Sequence, residues 1–218
     1  MPTASIPRTQ RGGVRAGRPE LSVEAIAAAG RRLIERDGLD ALSMRNVAAE
    51  LDTAATSLYR HVADRDALLL AILEDIAAGL PVDVPGRTPR KRLRNRLVAA
   101  HDYMADHVWV LHILIRGELV AENAFGFSNA CLQDFLDAGL AVRQASTAFR
   151  ACWHLIIGEL LDEHPLTAPR QPSQRSRAIA RLDPAVHPAL AATRSLDRRD
   201  GADDFRAVII RLLNALLV

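Results

Sequence analysis

Apolar residues recur every three or four positions along most of the chain, and no run alternates in the two-residue manner of a strand. The pattern predicts helices alone. From about Val23 to Asp37, Ile26, Gly30 and Leu33 form one stripe, flanked by Ala27 and Ile34. Ser22 is placed to cap this helix, Leu21 to pack on Ile26, and Gly38 to stop it. Met44, Val47, Ala48 and Leu51 form the face of a second helix, with Ser43 as its cap and Leu42 packing on Val47. A tight turn, Asp52-Thr53-Ala54, leads to a third helix about two turns long that ends near Val62. Only Leu58 and Val62 of that helix clearly point inward. Asp64 caps a fourth helix to about Leu80, with a broad apolar face of Leu68, Leu69, Ile72, Leu73 and Ile76.

Pro81, Pro85 and Gly86 then mark the clearest internal boundary. Thr88 can cap the next helix with Pro89 at its first position; it begins basic and extends to about His107. Helices are expected from Trp109 to Ile115, from about Leu119 to Ala138, and from about Val142 to Glu163. Residues 165–201 are rich in Pro, Arg and Ser or Thr, with short helical pieces near 179–182 and 186–196. A last helix covers Phe205 to Leu217.

The third helix is the most informative. Thr56, Ser57, Tyr59, Arg60 and His61 lie on or near its outside. A helix this short does not stand alone in water, so its neighbours must hold it. A short helix that presents hydrogen-bonding groups outward after a tight turn is what a helix-turn-helix lays in the major groove of DNA.

The run from about Leu21 to Ile76 resembles the N-terminal domain of the TetR family of bacterial transcriptional regulators. The resemblance is carried by Ile26-Ala-Ala-Ala-Gly30, Glu35-Arg-Asp-Gly38, Leu42-Ser-Met-Arg45, Val47-Ala48, Leu51, Leu58-Tyr-Arg-His-Val62 and Asp64-Arg-Asp-Ala-Leu-Leu69. The last two segments are the most specific. The turn departs from the family pattern, which has Gly, an apolar residue and Ser or Thr where this chain has Asp52, Thr53 and Ala54. Ala54 offers the third helix no side-chain cap, so a less rigid helix is expected.

The resemblance implies an all-α protein in three parts. Residues 1–20 form a flexible basic arm, 21–66 the helix-turn-helix domain, and 67–218 a helical dimerisation and effector-binding domain. It implies a repressor that binds a palindromic double-stranded operator as a homodimer and is released by an unidentified small-molecule effector. The helices near 142–163 and 205–217 would pair with their copies in a four-helix bundle. The alternatives are a helix-turn-helix activator without an effector and an all-helical metal-dependent enzyme. For the enzyme, His101, Asp102, Asp106, His107 and Glu118 cluster in sequence, but no His-Glu-x-x-His or Glu-x-x-His pattern is present. No catalytic residue, metal site or cofactor is expected.

Composition adds little to this. A 218-residue chain with 49% hydrophobic residues can bury a substantial core. The formal charge of +2 does not announce a nucleic-acid binder, but Arg8, Arg11, Arg15 and Arg18 all precede the first acidic residue, Glu20. Arg18, within Arg15-Ala-Gly-Arg-Pro19, suits the negative potential of a narrow minor groove; a solubilising tail accounts for the same residues equally well. Cys131 and Cys152 sit in apolar helical contexts without metal-ligand spacing, as reduced buried thiols would. The start of the chain lacks the apolar segment of a secretory signal, and the longest apolar run, Val108 to Ile115, is too short to span a bilayer. A cytoplasmic protein without a membrane partner is expected.

Within the helix-turn-helix, Ser43 begins the second helix, where backbone N–H groups can hold a phosphate. Arg45 follows in its first turn, with a guanidinium that fits guanine O6 and N7 or that simply remains solvated. Thr56 and Ser57 are the leading base-edge residues. Tyr59, His61 and Arg65 match family positions that bind phosphate. Further along, His101, Tyr103, Trp109, His112 and Trp153 are the polar or aromatic side chains that could meet an effector, or could serve as core fillers and surface groups.

Overall fold

The computed structural model describes residues 21–115, 119–163, 174–192 and 201–217. They form α1 (Val23–Asp37), α2 (Met44–Glu50), α3 (Ala55–Leu58), α4 (Arg65–Ala78), α5 (Pro89–Ala105), α6 (Trp109–Leu114), α7 (Ala124–Asp137), α8 (Val142–Glu163), α9 (Gln174–Ala180), α10 (Pro188–Ala192) and α11 (Gly201–Leu216). A single 3-10 turn, Leu39–Ala41, joins α1 to α2. No strand occurs among the described residues.

Local signals set most helix starts. The Ser22 hydroxyl accepts from Ala25 N–H at 3.2 Å, Ser43 from Asn46 at 3.2 Å, Asp64 from Ala67 at 2.8 Å and Thr88 from Lys91 at 3.3 Å. Each satisfies a backbone donor that has no partner inside its helix. Gly38, at φ 86°, and Gly139, at φ 97°, take the left-handed backbone that ends a helix cheaply only at glycine.

Four elements differ from the expectation; one is α9, which covers Gln174–Ala180, mostly ahead of the piece expected near 179–182. Helical geometry in α3 covers only Ala55–Leu58, one turn rather than two; it starts where expected, and past Leu58 the chain continues in turns, with His61 and Val62 N–H both donating to the Leu58 carbonyl at 2.8 and 2.9 Å. Helix α7 begins at Ala124, not near Leu119. The Glu74 carboxylate on α4 accepts from the N–H groups of Glu122 and Asn123 at 2.7 and 2.9 Å and holds residues before α7 out of helix. Helix α11 starts at Gly201, four residues earlier than its apolar pattern suggests.

Helix α1 lies along α4. The two come close at Gly30, where an added Cβ would stand 2.7 Å from Ile72 Cδ1. Helix α4 also meets α7, while α5 packs on α7, α8 and α11. Their buried side chains form one core, from Ile26 and Leu33 through Leu68 and Ile72 to Leu97, Phe135, Ile156 and Leu213. Burying each large aliphatic side chain contributes about 1.5–3 kcal/mol relative to leaving it exposed.

Two of the arginines at the basic start of α5 turn inward. Buried Arg96 donates to the carbonyls of Val82 and Ala130 and pairs with the Asp134 carboxylate, and Arg92 reaches Asp134 and Asp137. These bonds fasten the 81–86 loop and α7 to α5.

Candidate nucleic-acid interface and ligand cavity

Helices α2 and α3 place the expected DNA-facing residues. The turn between them survives without glycine because Asp52 adopts φ 48°, a conformation Asp tolerates at modest cost. Leu58, 0% exposed, and Val62 anchor the α3 segment from beneath. Around that anchor Thr56, Arg60 and His61 are exposed, Ser57 is half-buried, and Tyr59 is 53% exposed. An exposed aromatic next to fully buried Leu58 is not a core filler.

Ser43 is half-buried and its hydroxyl oxygen accepts the α2 capping bond, which leaves its O–H proton and backbone N–H groups of that first turn to meet an anion. Arg45 is exposed on the same turn, with no ion pair among the described residues. Arg65 is exposed just past the α3 segment, with Nε donating to the Leu42 carbonyl at 3.3 Å. That bond ties the guanidinium to the chain just before α2. Arg18 lies outside the described residues.

The residues expected near an effector fall in three places. Trp153 lines a cavity of about 250 Å³ enclosed by α4, α5, α6, α7 and α8 and the segment before α7. Its walls include Leu73, Ile76, Met104, Phe127, Ser128 and Phe149. Trp109 and His112 line a separate, wider cleft between α6 and the end of α1, beside Glu35, Asp37 and Asp40. His101 and Tyr103 reach neither space. Buried His101 bonds through Nε2 to Glu159 at 2.5 Å and stacks on Phe205 at 3.9 Å, joining α5, α8 and α11. The Tyr103 hydroxyl donates to the Ile76 carbonyl at 2.8 Å, and a side chain at Gly79 would collide with its ring.

The cavity residues that sequence reasoning missed are Phe127, Ser128 and Phe149 with their aliphatic neighbours. Read alone, each is an ordinary inward position of an amphipathic helix. The signal that marks them is mutual placement: Phe127 lies 6.4 Å from Phe149 and 6.0 Å from Trp153, with all rings tilted rather than stacked flat.

Helix α4 connects the two regions. Toward α1, Asp75 pairs with Arg31 at 3.1 Å. Toward α7, Glu74 holds Glu122 and Asn123, and its carbonyl accepts from the Asn123 amide at 3.1 Å. Leu73, Ile76 and Ala77 of the same helix line the cavity. Arg31 also reaches His107 Nε2, at 3.4 Å, in the joint between α5 and α6. A guanidinium can only donate, so Nε2 accepts and the ring proton sits on Nδ1. Burial, and secondly the Arg31 charge, hold the His107 pKa below its ordinary value. Cys131 and Cys152 are free and buried, and burial pushes both thiols up to about 12, so neither is a ready nucleophile. Among the described residues no three His, Cys, Asp or Glu side chains gather as a metal site, and no helix is long and apolar enough to cross a membrane.

Residues 20–72 match the family model described as bacterial regulatory proteins, tetR family. An HTH-type transcriptional regulator of Saccharopolyspora erythraea is 29% identical over 188 residues, covering 84% of this chain and 79% of that protein. The HTH-type transcriptional repressor DrrR1 of Streptomyces coeruleorubidus is 38% identical over 68 residues, 31% of this chain and 25% of that protein. Among solved structures, the Streptomyces coelicolor TetR family protein ActR in complex with actinorhodin superposes with a TM-score of 0.76 at 22% identity, over 91% of this chain and 97% of that one. With a helix-turn-helix whose reading face is open and an all-helical body behind it, residues 20–72 of this chain match the DNA-binding domain of the tetR family of bacterial regulatory proteins, and the whole chain shares the fold of solved members.

Proposed function

We propose that this transcriptional regulator is a repressor, binding a palindromic operator as a homodimer and leaving it when a small molecule fills the cavity among α4–α8. Residues 21–66 would act as the reading head and 67–218 as the dimerisation and effector-binding body. One observation carries the reading: Thr56, Tyr59 and His61 stand exposed over an anchor of Leu58 and Val62, directly after the tight turn from α2. Thr56 and Ser57 would meet base edges. Tyr59, His61, Arg65 and the start of α2 at Ser43 and Arg45 would meet phosphates or, for Arg45, a guanine edge.

A single head grips little DNA. Two heads related by a twofold axis would place their reading helices about 34–36 Å apart, one turn of the duplex. Helices α8 and α11 are the natural pairing surface, since apolar Val208 and Ile210 of α11 remain open to solvent although Phe205, Ile209 and Leu213 are buried. The repressor named among the relatives supports repression, and the actinorhodin complex named among the neighbours supports a small-molecule site in this fold. The family model over residues 20–72 and the transcriptional regulator similar over most of the chain favour this reading over the enzyme alternative.

Release follows as a population shift through α4. The DNA-bound form fixes one separation of the heads. A molecule in the cavity presses on Leu73, Ile76 and Ala77 and on the segment that Glu74 holds, so α4 feels it directly. A coupling of roughly 1–3 kcal/mol changes operator affinity ~5–150-fold. The test is fluorescence anisotropy of the purified chain with the DNA upstream of its own gene. Sequence-selective binding that weakens with salt supports the reading; equal affinity for scrambled DNA overturns it.

A further inference from the structure

This inference rests on the proposed effector site and concerns what that site accepts. We propose that the cavity takes an uncharged, flat, two-ring aromatic molecule carrying at most one hydrogen-bonding group, and turns away carboxylates and ammonium groups of the same size.

Size sets the first limit. An apolar cavity of about 150 Å³ takes one benzene ring. A cavity of about 250 Å³ has room for a second fused ring. Shape sets the next. Phe127, Phe149 and Trp153 meet at interplanar angles of 58° and 56°, so they offer both edges and faces to a planar guest.

Charge decides the chemistry. Among the described residues no charged side chain lines the space. Of those adjacent to lining residues along the chain, Glu74 holds two backbone N–H groups, Asp75 pairs with Arg31, and Glu122 and Arg150 are exposed to water. A charged guest would lose its water without gaining a partner, which is costly. Beyond the Trp153 indole N–H, the Ser128 hydroxyl is the one polar side-chain group on the wall, enough to seat a single hydroxyl or carbonyl.

The way in has the same character. Val120 and Phe125 line the cavity yet are 62% and 58% exposed, so they form its mouth. Val82 is exposed close by, where an added Cβ on Gly126 would meet its Cγ2 at 3.5 Å. An exposed apolar rim has no packing role that explains it, and it suits a guest that sheds water before entering.

The test is isothermal titration calorimetry of the full chain, without DNA, against three probes sharing one ring system. These are 2-naphthol, 2-naphthoate and 2-naphthylmethylammonium, all near neutral pH. The expected result is saturable binding of 2-naphthol, with the anion and the cation weaker by at least ~100-fold. Ser128→Ala should weaken 2-naphthol about 5-fold, the loss of one hydrogen bond. Ala77→Phe fills the cavity from α4, and Ala124→Phe, at a half-buried site, fills it from the mouth; the second guards against misfolding of the first, with circular dichroism confirming the fold. Either should abolish binding.

Charged probes binding as tightly as 2-naphthol, 2-naphthol binding that survives both filling variants, or no binding of any probe would each overturn the proposal. A parallel anisotropy titration separates it from the functional reading. If 2-naphthol binds selectively but leaves operator affinity unchanged, effector release fails and the ligand class stands.

Discussion

The reading face and the ligand cavity are built from opposite materials. At α3 a single helical turn is held by buried Leu58, with buried Val62 just beyond it, while Thr56, Tyr59, Arg60 and His61 face water. At the cavity, five helices turn apolar side chains toward an interior space that Ser128 and Trp153 alone supply with polar groups. The head is therefore economical and local: a few polar residues on one short stretch are exposed, and these are the residues proposed to read DNA. The body is distributed: no single residue defines its site, and its properties come from helices far apart in sequence. The two surfaces suit the two proposed partners, because DNA offers charges and base edges while an apolar effector would be drawn out of water.

The sharpest difference should appear on removing the head's anchor. Leu58→Ala is expected to cost about 2–5 kcal/mol. Operator binding should vanish in anisotropy, and the thermal transition of the head should fall. Binding of 2-naphthol, which depends on α4–α8, should survive; its loss would mean that head and cavity fold as one unit. Next comes the reading face itself. Thr56→Ala is expected to cost about 1–3 kcal/mol of operator affinity and to relax specificity at one base position, with thermal stability unchanged. A Thr56→Ala protein that still discriminates every operator position would remove Thr56 from the reading set.

Glu74 tests the link between the two regions. Glu74→Ala removes the carboxylate cap before α7, worth about 0.5–2 kcal/mol. Operator affinity should then respond less to 2-naphthol, while Glu74→Gln, which keeps one acceptor oxygen, retains part of the response. An undiminished response in Glu74→Ala would move the coupling elsewhere.

The Arg31–His107 joint gives a pH test of the same link. The unfolded chain protonates this ring near pH 6.5, whereas the folded chain does so only at lower pH. The unfolded state thus binds more protons in that window, and stability falls as pH drops below about 6.5. Thermal melts of the wild type and of His107→Gln across this range should converge as pH falls; parallel curves would show that the joint does not sense pH. The smallest effect concerns the missing cap. Ala54 is exposed with an extended backbone, φ −81° and ψ 141°, so Ala54→Ser should donate a cap to α3 and stabilise the head by about 0.5–1 kcal/mol in chemical denaturation.

How much the sequence discloses follows the same division. Ser22, Ser43, Asp64 and Thr88 cap within three residues of their targets, so the starts of α1, α2, α4 and α5 can be read directly. The exposed face of α3 can be read too, because Leu58 and Val62 alone carry its inward side. The start of α7 cannot, since the group that fixes it, Glu74, lies 49 residues from Asn123. The cavity is hidden for a related reason. A search for polar aromatics selects His101, whose partner Glu159 is 58 residues away, and Tyr103, which is bonded to Ile76. The true walls are unremarkable apolar residues made important only by three-dimensional neighbours.

The central claim is that the exposed rim of a one-turn helix, presented twice, reads DNA. Footprinting of the purified chain on its own upstream DNA tests it most directly. The account predicts two protected stretches on one face of the duplex, about 10 base pairs apart, both lost in a Thr56→Ala, Tyr59→Ala double variant that still folds. Protection that the double variant retains, or a single unpaired stretch, would contradict it.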